Sequence, residues 1–249
     1  MKNTYTMSAN VQWASLGSHA ITQELWATAR AAAPMQPRIV RVDNVEDIRA
    51  YQQKDIDLVA TYWNPTIKIE RTETIEIKAD RYPCGDILTK VDHGNFFLEL
   101  ISNDTKSPRT PGCFVYCEAN YLHYLFLGTG TLYIFDCKAL QACILGRLGY
   151  DPARFLQNPQ PLDDITIAGW KYTTTASNNG RPCYRTWGVA IPIVKVLQWA
   201  AEDGVRMKKH HMLEQVYRSA CMMRIADDYL RLVPVALRPR LIVATRQNP

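Results

Sequence analysis

The sequence predicts an α/β or α+β domain with a helical C-terminal extension. Three observations carry this: a helix-forming N-terminal run stopped by proline, two consecutive β-patterned arms, and a recurrence of strand followed by helix further on. Residues 12–33 place Trp13, Leu16, Ala20, Leu25, Ala29 and Ala32 at helical intervals, and Pro34 ends the run. A short strand at 38–42 follows, then a brief helix over 45–53 with Asp43 and Asn44 as caps. Residues 55–63 (DIDLVATYW) form a β-branched and aromatic run that ends at the turn-initiating dipeptide Asn64-Pro65, and 66–80 resume as a second arm. In that arm Ile67, Ile69, Ile75, Ile77 and Ala79 alternate with polar residues, so Glu76 and Lys78 point the same way, off the core face.

Further along, NFFLELIS at 95–102 reads as a third strand of a mainly antiparallel sheet and CFVYC at 113–117 as a fourth. EANYLHYLF at 118–126 carries apolar residues on a helical face, TLYIFD at 131–136 is a strand, and 137–149 is a helix ended by glycine. Prolines, asparagines and glycine mark 150–186 as an inserted loop region with a short hairpin around WKYTTT. WGVAIPI is a strand leading into the helix VKVLQWAAED, 205–231 reads as one long amphipathic helix, and the tail ends in a short strand. The expected organisation is a core over residues 1–149, with 150–249 packed on the same domain.

Composition narrows the function classes. With 47% hydrophobic residues in 249, the chain can bury one sizeable core or two modest ones, which excludes a disordered chain. No run is long and apolar enough for a membrane span, and MKNTYTMSANVQ lacks the apolar stretch of a secretory signal, so the expectation is a soluble cytoplasmic protein. Seven cysteines without a C-x-x-C pair argue against a disulfide framework or a zinc or iron–sulfur cluster. The net charge of +5 permits a polyanionic partner without requiring one. Phosphate-cradling and dinucleotide glycine motifs are absent, and His19, His93 and His123 are isolated from any serine or cysteine partner, which removes hydrolase triads. Lys208, Lys209, His210 and His211 open the expected C-terminal helix, where adjacent histidines diverge and form a solvated face.

The constellation that can carry chemistry is Asp57, Glu76 and Lys78. Metal-assisted cleavage of a phosphodiester needs two hard oxygen ligands for Mg²⁺ and a cation or base beside the attacking water. A glutamate and a lysine two apart on a strand project side by side, and an aspartate on the neighbouring strand can meet them. An acid two before a lysine also occurs at Asp104/Lys106 and Asp136/Lys138, but only Glu76 sits inside a strand that follows another strand opening with an aspartate. Tight closure at Asn64-Pro65 would set Asp57 opposite Thr72, whereas facing Glu76 requires a longer loop or a bulge near 64–70. Asp55, on the same face, is the alternative first acid.

Asp57, eighteen intervening residues, then Glu76-Ile77-Lys78 resembles the signature of the PD-(D/E)xK nuclease superfamily, although Ile56 stands where the signature has proline. The resemblance covers about residues 12–135. It implies a restriction-endonuclease-like mixed central sheet flanked by helices and a Mg²⁺-dependent endonuclease acting on DNA, with Mn²⁺ able to substitute. It further implies that Asp57, Glu76 and the Ile77 carbonyl hold the metal and that Lys78 orients or helps deprotonate the water. Glu24 would be the added acid from the preceding helix, or an ordinary exposed helix residue. Glu99 interrupts an apolar strand and would either reach the same site or face solvent. Asp80 shares the Glu76/Lys78 face near the strand end, where a surface or substrate-orienting role is expected. Arg81, Lys90, Lys106 and Arg109 lie in loops that would border the site and suit phosphate contacts. A second copy of the chain, forming a homodimer, would allow paired cuts on two strands. A non-catalytic nucleic-acid-binding or interaction module on the same fold is the competing class.

Overall fold

The computed structural model describes residues 7–81, 94–104, 106–157, 166–167, 170–176, 185–238 and 241. Helix α1 (Met7–Ala31) leads into strand β1 (Arg38–Asn44), the single-turn α2 (Arg49–Gln52), and the arms β2 (Leu58–Asn64) and β3 (Ile69–Asp80). Next come β4 (Asn95–Asn103), β5 (Thr110–Pro111), the single-turn α3 (Cys113–Tyr116), β6 (Tyr121–Phe126), β7 (Thr131–Asp136) and α4 (Cys137–Leu148). The remainder comprises β8 (Thr166–Ile167), β9 (Trp170–Ala176), β10 (Arg185–Pro192), α5 (Ile193–Glu202), β11 (Met207–His211), α6 (Leu213–Met222) and α7 (Ala226–Leu232). Among the described residues, no helix is long and apolar enough to cross a membrane.

Two sheets result. The first is mixed, in the order β1-β2-β3-β6-β7-β11, with β3 and β6 parallel and the other neighbours antiparallel. The second is antiparallel, built on β4, β10 and β9, with the two-residue β5 and β8 at its edges. Alternation along β3 divides the apolar burial. Ile75 and Ile77 face a core shared with α1, α6 and α7, whereas Leu122, Tyr124 and Phe126 of β6 face the second core, made with Phe96 and Leu98 of β4 and Val189 and Ile191 of β10. Glu76, Lys78 and Asp80 therefore point into the layer between the sheets. Gly17 permits the close approach of α1, since a Cβ there would come within 2.6 Å of the Ala79 Cβ.

Several expectations are corrected. Residues 121–126 form a strand because β6 lies between β3 and β7 and is buried on both faces; such a strand loses the polar alternation that marks half-buried ones and mimics a helical face. The expected fourth strand is the helical turn α3, and the expected third strand, β4, belongs to the second sheet. The long C-terminal helix is broken into β11, α6 and α7, with Arg224 at a φ of 60° between the two helices. Lys208–His211 consequently lie on an edge strand paired with β7, a place where exposed lysines are common. Residues beyond 150 are woven into both sheets, since β10 pairs with β4 and β11 with β7.

Candidate functional site

The β2–β3 hairpin sets the geometry. Its connection spans residues 65–68, where the Asn64 side chain accepts the backbone N–H groups of Thr66 (3.0 Å) and Ile67 (3.3 Å) and Lys68 takes a φ of 54°. The ladder then runs from Asn64 opposite Ile69 to Leu58 opposite Ile75, where it ends and Asp57 slips out of register to share Ile75 with Leu58. This is the longer-loop register, and Asp57 does not face Thr72. The Asp57 N–H donates to the Ile75 carbonyl (2.9 Å), and its carboxylate accepts the Ile77 N–H (2.8 Å).

Lys78 forms an ion pair with Glu76 at 2.5 Å and lies 3.8 Å from Asp55. Asp55 reaches it because its backbone leaves the strand conformation, at a φ of 55°. Glu99 from β4 and Cys113 from α3 close a cavity of about 100 Å³ around Asp55, Glu76 and Lys78. Asp80, on the same face, accepts a hydrogen bond from the Tyr124 hydroxyl (3.0 Å), which itself accepts the Phe97 N–H (3.0 Å) and so ties the two sheets together.

Burial dominates the electrostatics. Desolvation raises the Glu76 carboxyl well above its ordinary range, opposed by Lys78. It also raises Asp57, opposed by the Ile77 N–H and Lys78, and Glu99, opposed by Lys78 and the Cys113 N–H. For Lys78, burial acts against the ammonium, but the surrounding negative groups outweigh it and hold its pKa well above the ordinary value. Cys113 adds no charge at neutral pH, because burial raises its thiol and keeps it protonated. Glu76 and Asp55 are therefore the principal holders of the Lys78 charge.

Among the described residues, no group of three or more His, Cys, Asp or Glu stands ready as a metal cage. Magnesium, however, uses one or two carboxylates and completes its shell with water and phosphate oxygens. The cluster suits that demand at Glu76, whose Oε2 is buried without a hydrogen-bond partner; Asp55 Oδ2, likewise without one, lies 3.8 Å from the Lys78 ammonium. Such atoms are costly in a folded protein unless something supplies the missing contact.

The other expected residues are dispersed. Glu24 lines a separate cleft with Ile75 and His123, on the opposite face of the sheet from Glu76, so the structure does not bring it to the cluster. Arg81 continues β3 past Asp80 and is partly buried, and Lys106 is exposed in the β4–β5 loop. Arg109 is held by the segment after α4, donating from its side chain to the Phe155 carbonyl (3.2 Å) and from its backbone to that of Leu156 (3.0 Å). Lys90 lies outside the described residues. Of the competing acid–lysine pairs, Asp104 accepts the Trp187 indole N–H (2.9 Å) and Asp136 caps α4 through the Ala139 N–H (3.2 Å). Cys113 was not legible as a site residue, since a strand reading of 113–117 gave no reason to place it there. Comparison of the chain with protein-family models, with curated proteins and with solved structures finds no match.

Proposed function

We propose that the protein is a Mg²⁺-dependent endonuclease that hydrolyses DNA phosphodiester bonds, on a restriction-endonuclease-like fold of the PD-(D/E)xK type. The observation that carries this is the Asp57 carboxylate held on the Ile77 N–H, the residue between Glu76 and its ion-pair partner Lys78. A mixed sheet entered through one helix and an antiparallel hairpin, then extended by a parallel strand, supports the same reading.

In this reading Asp57 and Glu76 would hold the metal together with the Ile77 carbonyl. That carbonyl shares a side with the Ile77 N–H, which already points at Asp57. The metal, when bound, supplies Lewis-acid polarisation of the phosphate and a more acidic attacking water. Asp57 keeps one carboxylate oxygen on the Ile77 N–H, fixing the spacing of the two strands where the phosphate must sit. Lys78, held as the ammonium by Glu76 and Asp55, donates a hydrogen bond to the water or a phosphate oxygen and offsets developing negative charge. Its charged state makes it an orienting and electrostatic group, and proton removal falls to another base.

The alternative is a non-catalytic nucleic-acid-binding module. The Glu76–Lys78 pair, which forms without a substrate, and the small cavity favour it. The deciding experiment is cleavage of linear duplex, supercoiled plasmid, single strand, four-way junction and RNA with Mg²⁺, Mn²⁺ or EDTA, with Lys78→Ala alongside. Metal-dependent cutting lost in the variant supports the nuclease. Nucleic-acid binding without cutting, unchanged in Glu76→Gln and Lys78→Ala, supports the module.

A further inference from the structure

On the face of the first sheet opposite the carboxylate cluster lies a cleft of about 630 Å³, a volume suited to a small-molecule ligand. Its origin is a wedge. Helix α1 touches the sheet closely at Gly17, against Ala79, but its later turns present Thr28 and Ala29, with Ala32 just past its end, all too short to fill the space above the strands. The floor is apolar, with Ile39, Ile75, Leu132 and Ile134, and His123 of β6 interrupts it. His123 is 4% exposed, its Nδ1 is buried with no hydrogen-bond partner, and burial pushes its pKa down to about 3, so the imidazole is neutral. An orphaned nitrogen on an apolar floor lacks a contact that a ligand can supply.

The charges around the cleft oppose each other: Glu24, Glu73 and Asp136 are set against Arg38, Arg206 and Lys208. Two of the acids are already engaged, Asp136 by Arg206 at 3.0 Å and Glu73 by Arg71 at 3.3 Å. Counted over the residues that line the cleft, three charges of each sign balance, and the floor around His123 is apolar, so the cleft suits a neutral ligand better than an ion.

We propose that this cleft binds a small neutral amphiphile, an apolar ring body bearing one hydroxyl or carbonyl group that exchanges a hydrogen bond with Nδ1 of His123. This site is independent of the nuclease reading and uses none of its residues. Glu24 belongs to its rim.

The test is calorimetric titration of the full chain with 2-naphthol, naphthalene and 2-naphthoate, with the imidazole signal of isotope-labelled His123 followed by NMR. Native protein should bind 2-naphthol saturably and about tenfold more tightly than either control, the equivalent of one net hydrogen bond or one unfavourable charge, and the His123 resonance should shift. His123→Phe should bind naphthol and naphthalene equally. Ala29→Trp fills the cleft from a half-exposed helix position and should abolish binding of all three while unfolding as the native protein does. Absence of saturable naphthol binding, equal binding of naphthol and naphthalene by native protein, or undiminished binding by Ala29→Trp would overturn the proposal. If His123→Phe does not fold, the native probe comparison, the His123 signal and Ala29→Trp decide the matter.

Discussion

Asp57 lies one residue beyond the last ladder pair of the hairpin, Leu58 with Ile75, and its carboxylate is anchored on the Ile77 N–H at 2.8 Å. One aspartate thus joins the end of β2 to the residue between the proposed ligand and the lysine. Its anchoring role and its charge can be separated by substitution.

Asp57→Ala removes a hydrogen bond to an ionised acceptor and should destabilise the fold by about 2 kcal/mol, whereas Asp57→Asn retains an acceptor oxygen and should cost less than about 1 kcal/mol. Both should lose metal binding and cleavage. Urea denaturation read beside Mn²⁺ titration checks the split; an Asp57→Asn variant that still cuts at the native rate removes Asp57 from the metal site.

Lys78→Met leaves Glu76 and Asp55 without their counter-charge. The lysine side chain is 36% exposed, so solvent screens part of the loss, and the expected destabilisation is about 1–3 kcal/mol rather than the full cost of a stranded buried charge. The double variant Glu76→Gln/Lys78→Met should recover much of it. Additive losses in the denaturation cycle would mean that the pair is not coupled.

The raised carboxyls give a signed pH dependence. Glu76, Asp57 and Glu99 bind a proton more tightly folded than unfolded, so their contribution is fully present below the ordinary carboxyl range and is lost as pH rises through their folded values. Lys78 is raised as well, and its contribution persists through neutral pH, falling away only above the ordinary lysine range. Without metal, stability should decline between mildly acid and neutral pH, and Glu76→Gln should flatten the decline. Denaturation midpoints in a pH series measure both; a rise over that range would show that burial does not govern these groups.

Two helical glycines should respond oppositely to alanine. At Gly17 the added Cβ would lie 2.6 Å from that of Ala79, so overpacking of about 1–3 kcal/mol should outweigh the helix-propensity gain of about 1 kcal/mol. At Gly146, in α4, the added Cβ meets nothing within 4 Å, and Gly146→Ala should stabilise by about 0.5–1 kcal/mol. Thermal melts of the two single variants test this, and the same sign in both would contradict the close α1–β3 contact.

Local pattern made α1, β1, β2, β3, β7, α4, β10 and α5 legible, because each is long enough to show its period or is bounded by a strong turn or cap. It failed where burial was decided by distant chain. β6 looks helical because β3 and β7 cover both its edges while the two cores cover its faces. β11 looks like the start of a helix because its partner lies some seventy residues earlier. The juxtaposition of Glu76 and Lys78 followed from alternation along one strand, whereas Glu99 and Cys113 came to them only through the packing of a second sheet.

The sequence by itself determined that Glu76 and Lys78 share one face of a strand and that Asp57 opens the strand before it, since a period of two is a local property of extended backbone. The tertiary structure alone decided that Asp57 and Glu76 meet, that Glu24 lies behind the sheet, and that Asp55 turns in to share Lys78. Register depends on how the 65–68 connection closes, and the face a helix covers depends on long-range packing; neither is encoded in the spacing of nearby residues.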